Sequence, residues 1–298
     1  MKSLRKNKAP SRNRFTPLLA VLLILLIVYV VLVLAPLVWS IIASFKSEPY
    51  DFHYNKTGFP KQWIFDNYSY AFTSMAVPTP RNGTTVYVGV FEMYGYSLLY
   101  ALGCALAAAF SPCITAYCCA RFKCTFSKIL YNIVIICMVL PIVGNLPSEI
   151  QVARTVGVYG QIWGLWIMKA GFLGIYYLVF YGAFNGLPKS YFEAAKMDGA
   201  GNWRQFFQIA MPLVKNVFFT VVLIKFIEFW NDYQTPAIFM ESYPTMALGV
   251  FKVMTHPQFT EVPQKMAAAM ILFVPVFAVF LIFQKKFMGD LMIGGVKE

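Results

Sequence analysis

Long apolar runs alternate with short polar clusters along the 298 residues of this chain. From Leu18 to Trp39 no charged residue occurs. At 1.5 Å per residue that run reaches about 33 Å, enough to cross a hydrocarbon core of about 30 Å. Further runs extend from Met93 to Ala120, from Ile129 to Ser148, from Thr155 to about Pro188 with one lysine, from about Asn216 to Met240, and from Met266 to Gln284. The pattern predicts an all-α integral membrane protein with six transmembrane helices. The first run also resembles a signal peptide, but it exceeds a normal h-region and no A-x-A-like site ends it, so it is expected to be retained.

Composition agrees with this reading. The chain is 59% hydrophobic and 13% charged, against about 25% charged residues in soluble domains. The net charge of +12 does not form one stripe or patch, which argues against nucleic acid. It is distributed as a topological signal instead. If both termini are cytoplasmic, the inner segments hold Lys2, Arg5, Lys6, Lys8, Arg12 and Arg14, then Arg121, Lys123 and Lys128, then Lys189, Lys196, Arg204 and Lys215, then Lys285, Lys286 and Lys297. Those are 16 of the 25 basic residues, the bias that the positive-inside rule describes. The expected organisation is a basic cytoplasmic tail over 1–16 and a transmembrane domain over 17–298. Outer loops fall at about 43–92 and 241–263, and an inner loop at 188–212. In the first outer loop, the aromatic and polar mixture from Phe65 to Phe72 suits a short interfacial helix; the second, with Pro244, Pro257 and Pro263, reads as an irregular cap. Cys104, Cys113, Cys118, Cys119, Cys124 and Cys137 lie within or beside apolar runs, which favours reduced thiols, and they lack the paired spacing of a zinc site.

Charges inside the apolar runs are costly there and ask for partners or water. Lys169 falls near the middle of the fourth run and Lys225 in the fifth. Glu228 and Asp232 follow Lys225 at helical spacing, so a Lys, Glu, Asp stripe is expected on one face. Together with Trp230 and Asn231 it either lines a polar translocation path or forms an internal ion pair. Pro36, Pro112, Pro141 and Pro275 predict kinks, and Gly160, Gly164, Gly171 and Gly174 permit close helix packing.

The segment from Ser190 to Pro212 is a polar island. Ser190 and Glu193 have the spacing of a capping box for a helix through about Met197, and Asn202 and Gln205 that of a second, over Trp203 to Ala210, which Pro212 interrupts. Gly199 and Gly201 supply the turn. Small Ala194 and Ala195 suit the close approach of a partner, and Phe192, Phe206 and Phe207 anchor the knob or fill a partner's pocket. On a blander reading Glu193 only caps its helix.

The spacing of Glu193, Ala194, Ala195, Gly199, Ile209 and Pro212, with Met211 in place of a leucine, matches the pattern E-A-A-x3-G-x9-I-x-L-P. On these residues the chain resembles binding-protein-dependent ABC-transporter permeases. Leu187-Pro188, Asp198-Gly199-Ala200, Trp230-Asn231, Gln284 to Phe287 and Gly294 to Lys297 make it similar to the maltose-type second permease of the carbohydrate-uptake subfamily. The resemblance implies the type I ABC importer permease fold and a sugar or oligosaccharide substrate in a bacterial or archaeal plasma membrane. Implied partners are a second homologous permease, two ATPase subunits, an extracytoplasmic solute-binding protein and membrane lipid. Glu193, Ala194, Ala195, Asp198 and Gly199 would carry the ATPase contact. The chain has no G-x-x-x-x-G-K-[ST] sequence to cradle phosphates, so it is expected to be a transport subunit and no enzyme, with ATP and Mg held by the partner ATPase. Alternatives are an ABC permease for another solute, such as a polyamine or peptide, and an ion-coupled secondary transporter using Glu228 and Asp232. An intramembrane enzyme finds little support in two histidines, His53 and His256, both in outer loops.

Overall fold

A computed structural model describes residues 17–291 apart from 82, 123, 141–143 and 256–260. The basic tail 1–16, Lys123, Pro141, His256, Pro257 and Gly294 to Lys297 lie outside the described residues, as do the side chains of Lys285 and Lys286. The chain runs through α1 (Pro17–Ser44), a wide turn (Glu48–Phe52), α2 (Asp66–Ser74) and the strands β1 (Val77–Arg81) and β2 (Thr84–Val88). It continues through α3 (Val90–Arg121), α4 (Thr125–Val139), α5 (Leu146–Val156), α6 (Ile162–Met168) and α7 (Ile175–Asn185). Next come α8 (Lys189–Met197), α9 (Asn202–Gln205), a second wide turn (Phe206–Ala210), α10 (Met211–Asn231), α11 (Gln234–Phe239), α12 (Met246–Thr255) and α13 (Val262–Leu291).

Four helices among the described residues are long and apolar enough to cross a membrane: Pro17–Ser44, Val90–Arg121, Asn202–Asn231 and Val262–Ile282. The third and fourth apolar runs are not single helices. The third yields α4, only 15 residues long, where a perpendicular crossing needs about 20. The fourth is divided into α6 and α7, because Gly174 has φ +136°, outside what a residue with a side chain readily adopts. The fifth run also breaks. Asp232 Oδ1 accepts the backbone N–H groups of Gln234 at 2.9 Å and Thr235 at 3.1 Å, which starts α11 afresh.

The two segments expected to lie outside hold more structure than expected. β1 and β2 form an antiparallel hairpin, Val77 opposite Val88 and Arg81 opposite Thr84, so the chain is not wholly α. Its sequence signal is the Asn82-Gly83 pair between β-branched residues. The helix expected near 65–72 is α2, and the second outer segment, read as irregular, contains α12.

The interior is strung along α3 as three apolar clusters. Val90 and Met93 meet Met75, Met246, Ala267 and Ala268 at one end. Tyr100, Ala101, Cys104, Ala105 and Ala108 meet Leu165, Phe226, Phe229 and Trp230 in the middle. Ala109, Cys113, Ala116 and Tyr117 meet Phe180, Phe184, Phe192, Phe206 and Phe218 at the other end. The close approach between α3 and α6 rests on Gly103, where a Cβ would lie 2.2 Å from the Trp166 ring. Of the glycines expected to pack helices, Gly160, Gly171 and Gly174 face open space, and Gly164 abuts Val158 in the preceding loop. α1 is exposed along nearly its whole length and reaches α13 on one side, as suits a helix in contact with lipid.

Pro36, Pro112 and Pro275 all sit inside continuous helices. A proline removes the N–H that its i−4 carbonyl would have accepted. At Pro275 that carbonyl is Ile271 O, and the Tyr94 hydroxyl donates to it. Trp230 Nε1 donates to the next carbonyl, Leu272 O, at 3.3 Å. The Tyr94 side chain thus replaces the bond that Pro275 removes, which water cannot supply in hydrocarbon, and Trp230 adds a second bond beside it.

The segment after α1 is a polar knot. Lys46 is 0% exposed and its ammonium donates to Asn55 O. Asn67 Nδ2 donates to both Ser44 O and Lys46 O at 2.8 Å, Ser44 Oγ pairs with the Tyr68 hydroxyl at 2.7 Å, and the Lys61 N–H donates to Asp51 Oδ2 at 2.7 Å. Substituting Asn67→Ala strands two carbonyls, at about 1–3 kcal/mol for each buried unsatisfied group. The expected outcome is a thermal midpoint lowered by several degrees in the purified protein, and an unchanged midpoint would refute the role of the knot.

Candidate functional site: an exposed knob and a charge-lined cavity

The polar island folds as two short helices on a turn, but not through the expected caps. α8 begins at Lys189 with Pro188 as its N-cap, and no side chain caps it. Ser190 is therefore already inside the first turn, where it cannot act as an N-cap. α9 follows Gly201, again without a side-chain cap, and Gln205 Nε2 donates instead to Ala200 O at 2.8 Å. The turn is closed at the C-terminus of α8. Gly199 takes φ +78°, its N–H donates to Lys196 O at 3.1 Å, and the Ala200 N–H donates to Ala195 O at 2.8 Å. These are the two bonds of a Schellman motif around a left-handed residue. Gly201 keeps an ordinary negative φ and is not needed for the turn.

Pro212 does not end the second helix. The wide turn Phe206–Ala210 lets the Met211 N–H donate five residues back, to Phe206 O, and α9, the turn and α10 run on as one helix from Asn202 to Asn231. A wide turn of this kind absorbs the proline without a break.

Aromatic packing seats the knob. Phe192 and Phe206 are buried against Tyr117, with ring centroids 6.4 and 4.9 Å away, and Phe184 stands 5.4 Å from the same ring. The Arg121 guanidinium covers the Phe192 ring at 4.7 Å. Ala195, three residues after Phe192, shares its inward face and is 8% exposed, which corrects its expected place on the outer surface. Phe207 stays outside, stacked on Trp203 at 6.1 Å. The outer surface of the knob is formed by Glu193, Ala194, Met197, Asp198 and Gly199, all exposed, with Met197 at 88%.

Beside α3, where the fourth run breaks, lies a cavity of about 630 Å³. Its polar lining comes from Asn145, Ser148, Glu149, Lys169, Lys225 and Glu228, and its aromatic lining from Phe172, Tyr176, Tyr177 and Phe229. Lys169 is the C-cap residue of α6, at the break and not within a helix. Lys225 Nζ and Glu228 Oε2 are 2.8 Å apart, and the ammonium stands 5.0 Å from the Tyr176 ring centroid. The two readings of this stripe thus meet in one arrangement: an ion pair whose members line a cavity.

The other three residues of the expected path do not line it. Trp230 is buried between Tyr94 and Phe226. Asn231 Nδ2 donates to Ile227 O of its own helix at 2.8 Å. Asp232 Oδ2 accepts the Tyr100 hydroxyl at 2.8 Å, so the Lys, Glu, Asp stripe ends at Glu228. Conversely, Asn145, Ser148, Glu149 and Tyr176 line the cavity without having been singled out. Glu149 Oε1 accepts from Asn145 Nδ2 at 2.6 Å; a carboxylate between two apolar runs was the signal available. Pro112 and Ala108, whose carbonyl Pro112 frees, also line the wall. All six cysteines are free thiols, and Cys113 Sγ lies 3.5 Å from Met211 Sδ.

Known proteins share this architecture. A chain from the crystal structure of a bacterial ABC transporter involved in the import of the acidic polysaccharide alginate superposes with a TM-score of 0.71 at 18% identity, covering 93% of this chain and 99% of that one. The diacetylchitobiose uptake system permease protein of Streptomyces coelicolor is 25% identical over 98% of this chain and 92% of its own length. The galactooligosaccharides transport system permease protein of Bacillus subtilis is 27% identical over 92% of this chain and 94% of its own. Residues 90–289, from α3 into α13, match the family of binding-protein-dependent transport system inner membrane components. With its helical fold, its seated knob and two thirds of its length in that match, the chain belongs to the binding-protein-dependent transport system inner membrane component family.

Proposed function

We propose that this chain is the permease subunit of an ATP-driven importer for a sugar or oligosaccharide, embedded as six spans with both termini cytoplasmic. α4 and the broken α6–α7 segment would supply the two spans beyond the four long helices. A second homologous permease completes the path, two ATPase subunits supply the energy, and an extracytoplasmic solute-binding protein delivers the sugar. ATP and Mg belong to the ATPase subunits. The carbohydrate assignment is supported by the relatives named above, whose substrates are oligosaccharides.

The observation that carries the reading is the two-sided construction of the knob. Phe192, Ala195 and Phe206 hold it to the body, while Glu193, Ala194, Asp198 and Gly199 face outward. These outward residues would seat in a cleft of the ATPase subunit. The helix Asn202–Asn231 joins the knob to the cavity. From Arg204 to Lys225 it spans about 32 Å at 1.5 Å per residue. A push on α9 therefore reaches the Lys225–Glu228 pair without passing a loop. Closure of the ATPase subunits would draw two such knobs together and tilt α10 against α3, which opens the cavity alternately to either side of the membrane. No side chain caps α8 among the described residues, so the exposed Glu193 carboxylate is available to the partner.

Two variants test this reading. Ala194→Arg places bulk on the outward face and leaves the buried anchors intact, whereas a change at Ala195 would disturb the core. Uptake is expected to fall at least tenfold and the ATPase subunit to be lost on co-purification, with the thermal midpoint of the permease unchanged; wild-type uptake with retained ATPase sinks the assignment. Glu228 is 54% exposed toward the cavity and Lys225 19%, so the pair contributes no more than about 1 kcal/mol to stability. Glu228→Gln is accordingly expected to shift the midpoint little and to reduce uptake several-fold. Equal uptake by the two proteins would remove Glu228 from the path.

A further inference from the structure

A second recess lies where α3 and α7 end and α8 begins, apart from the charge-lined cavity. We infer that it is a binding site for a phosphate group. The recess has a volume of about 270 Å³ and is lined by Tyr117, Arg121, Phe184, Asn185, Lys189 and Phe192, among others, with no carboxylate in its wall. The Tyr117 side chain is 4% exposed, and its hydroxyl is buried with no hydrogen-bond partner among the described residues. Buried hydroxyls almost always find a partner, so an orphan in a cavity wall points to a missing acceptor.

The cations nearby likewise lack an ionic partner among the described residues. Arg121 stacks over Phe192 at 4.7 Å, a geometry that leaves its fork of N–H donors free. Neither Arg121 nor Lys189 belongs to an ion pair among the described residues. Glu193, one turn after Lys189, is exposed and makes no bridge to it. Guanidinium, ammonium, phenolic hydroxyl and the Asn185 amide together offer donors, two of them charged. Phosphate presents acceptor oxygens and negative charge, the complement of that set. A sugar hydroxyl would use the donors but not the charge. Phe184 and Phe192 form an apolar wall beside the donors, which suits a phosphate attached to a glycerol or acyl group as well as a free one.

The site stands apart from the transport reading, since it requires neither a substrate nor an ATPase. It also explains why Arg121 and Lys189 are held at one recess while most basic residues of such segments need only face water to orient the chain.

The test uses the purified transporter with its partner subunits, delipidated in detergent, in two arms. One adds dioleoylphosphatidylglycerol, with dioleoylglycerol as a phosphate-free control. The other adds sodium phosphate against sodium chloride at matched ionic strength. The thermal midpoint is followed by intrinsic fluorescence for wild type, Lys189→Gln and Tyr117→Phe. The expected result is a concentration-dependent rise in one arm, with an apparent affinity about tenfold weaker in Lys189→Gln, the size that loss of one charged hydrogen bond gives. A smaller weakening is expected in Tyr117→Phe. A response to the lipid alone makes a membrane headgroup the source, and a response to phosphate makes it a soluble anion. Tyr117→Phe keeps the ring contacts with Phe184 and Phe206, so it reports on the hydroxyl and not on folding. No response in either arm, or equal responses in wild type and both variants, overturns the inference.

Discussion

Inside a bilayer, apolar side chains gain little by leaving lipid for one another, so helices associate through close contact and the pairing of polar groups. In this chain the close contact is concentrated on one face of α3. Ala101, Cys104, Ala105, Ala108, Ala109, Cys113 and Ala116 present small side chains along it, and α10, α7 and α6 all pack against that helix. Larger residues there would push α10 and α7 outward and open all three clusters at once. Gly103 and Trp166 are the limiting case, since even a methyl group at Gly103 meets the indole ring. The pairing of polar groups is concentrated where helices are imperfect. Tyr94 and Trp230 bind carbonyls beside Pro275, and Tyr100 binds the carboxylate that ends α10.

The same scaffold determines which parts can move together. The knob is fixed to the core by Phe192 and Phe206 around Tyr117, and its second helix continues into α10. Knob and cavity are therefore the two ends of one helix pressed against α3. The α6–α7 break behaves differently. From Ala170 to Gly174 the backbone is not helical, yet Gly171, Phe172, Leu173 and Gly174 form part of the cavity wall. Irregular backbone at membrane depth is tolerated where it lines a cavity, and there it can adjust while α10 stays straight.

Much of this was legible in the sequence, and the failures have identifiable causes. Charge-free length sufficed for α1, α3 and α13. It failed for the fourth run, where a single lysine and several glycines sit inside apolar sequence and the stop at Gly174 depends on backbone conformation. The knob was found through its polar composition and the E-A-A pattern, but its caps were misplaced, by two residues at α8 and one at α9: a helix starting at Lys189 turns Ser190 from a cap into an ordinary first-turn position. Phe192 and Ala195 are three apart and so share a helix face; once Phe192 is taken as an anchor, Ala195 must be buried too. The same rule applies in α10. Lys225 and Glu228 share the cavity face, Phe226 and Trp230 share the core face, and Phe229 borders both.

Glu149, Lys169, Lys225 and Glu228 give the cavity two charges of each sign, and this balance bears on the proposal that a neutral sugar crosses there. A net charge in a low-dielectric wall would favour counter-ions and retain them. A compensated set leaves hydrogen-bonding groups without a strong field, and Tyr176 and Phe229 add apolar faces beside them. The Lys225 ammonium, held between Glu228 and the Tyr176 ring, already has its charge compensated in the empty cavity. A sugar hydroxyl can then exchange with water at these groups without having to displace an ion. Arg121 and Lys189, which belong to no ion pair among the described residues, stand instead at the knob, outside this balanced set.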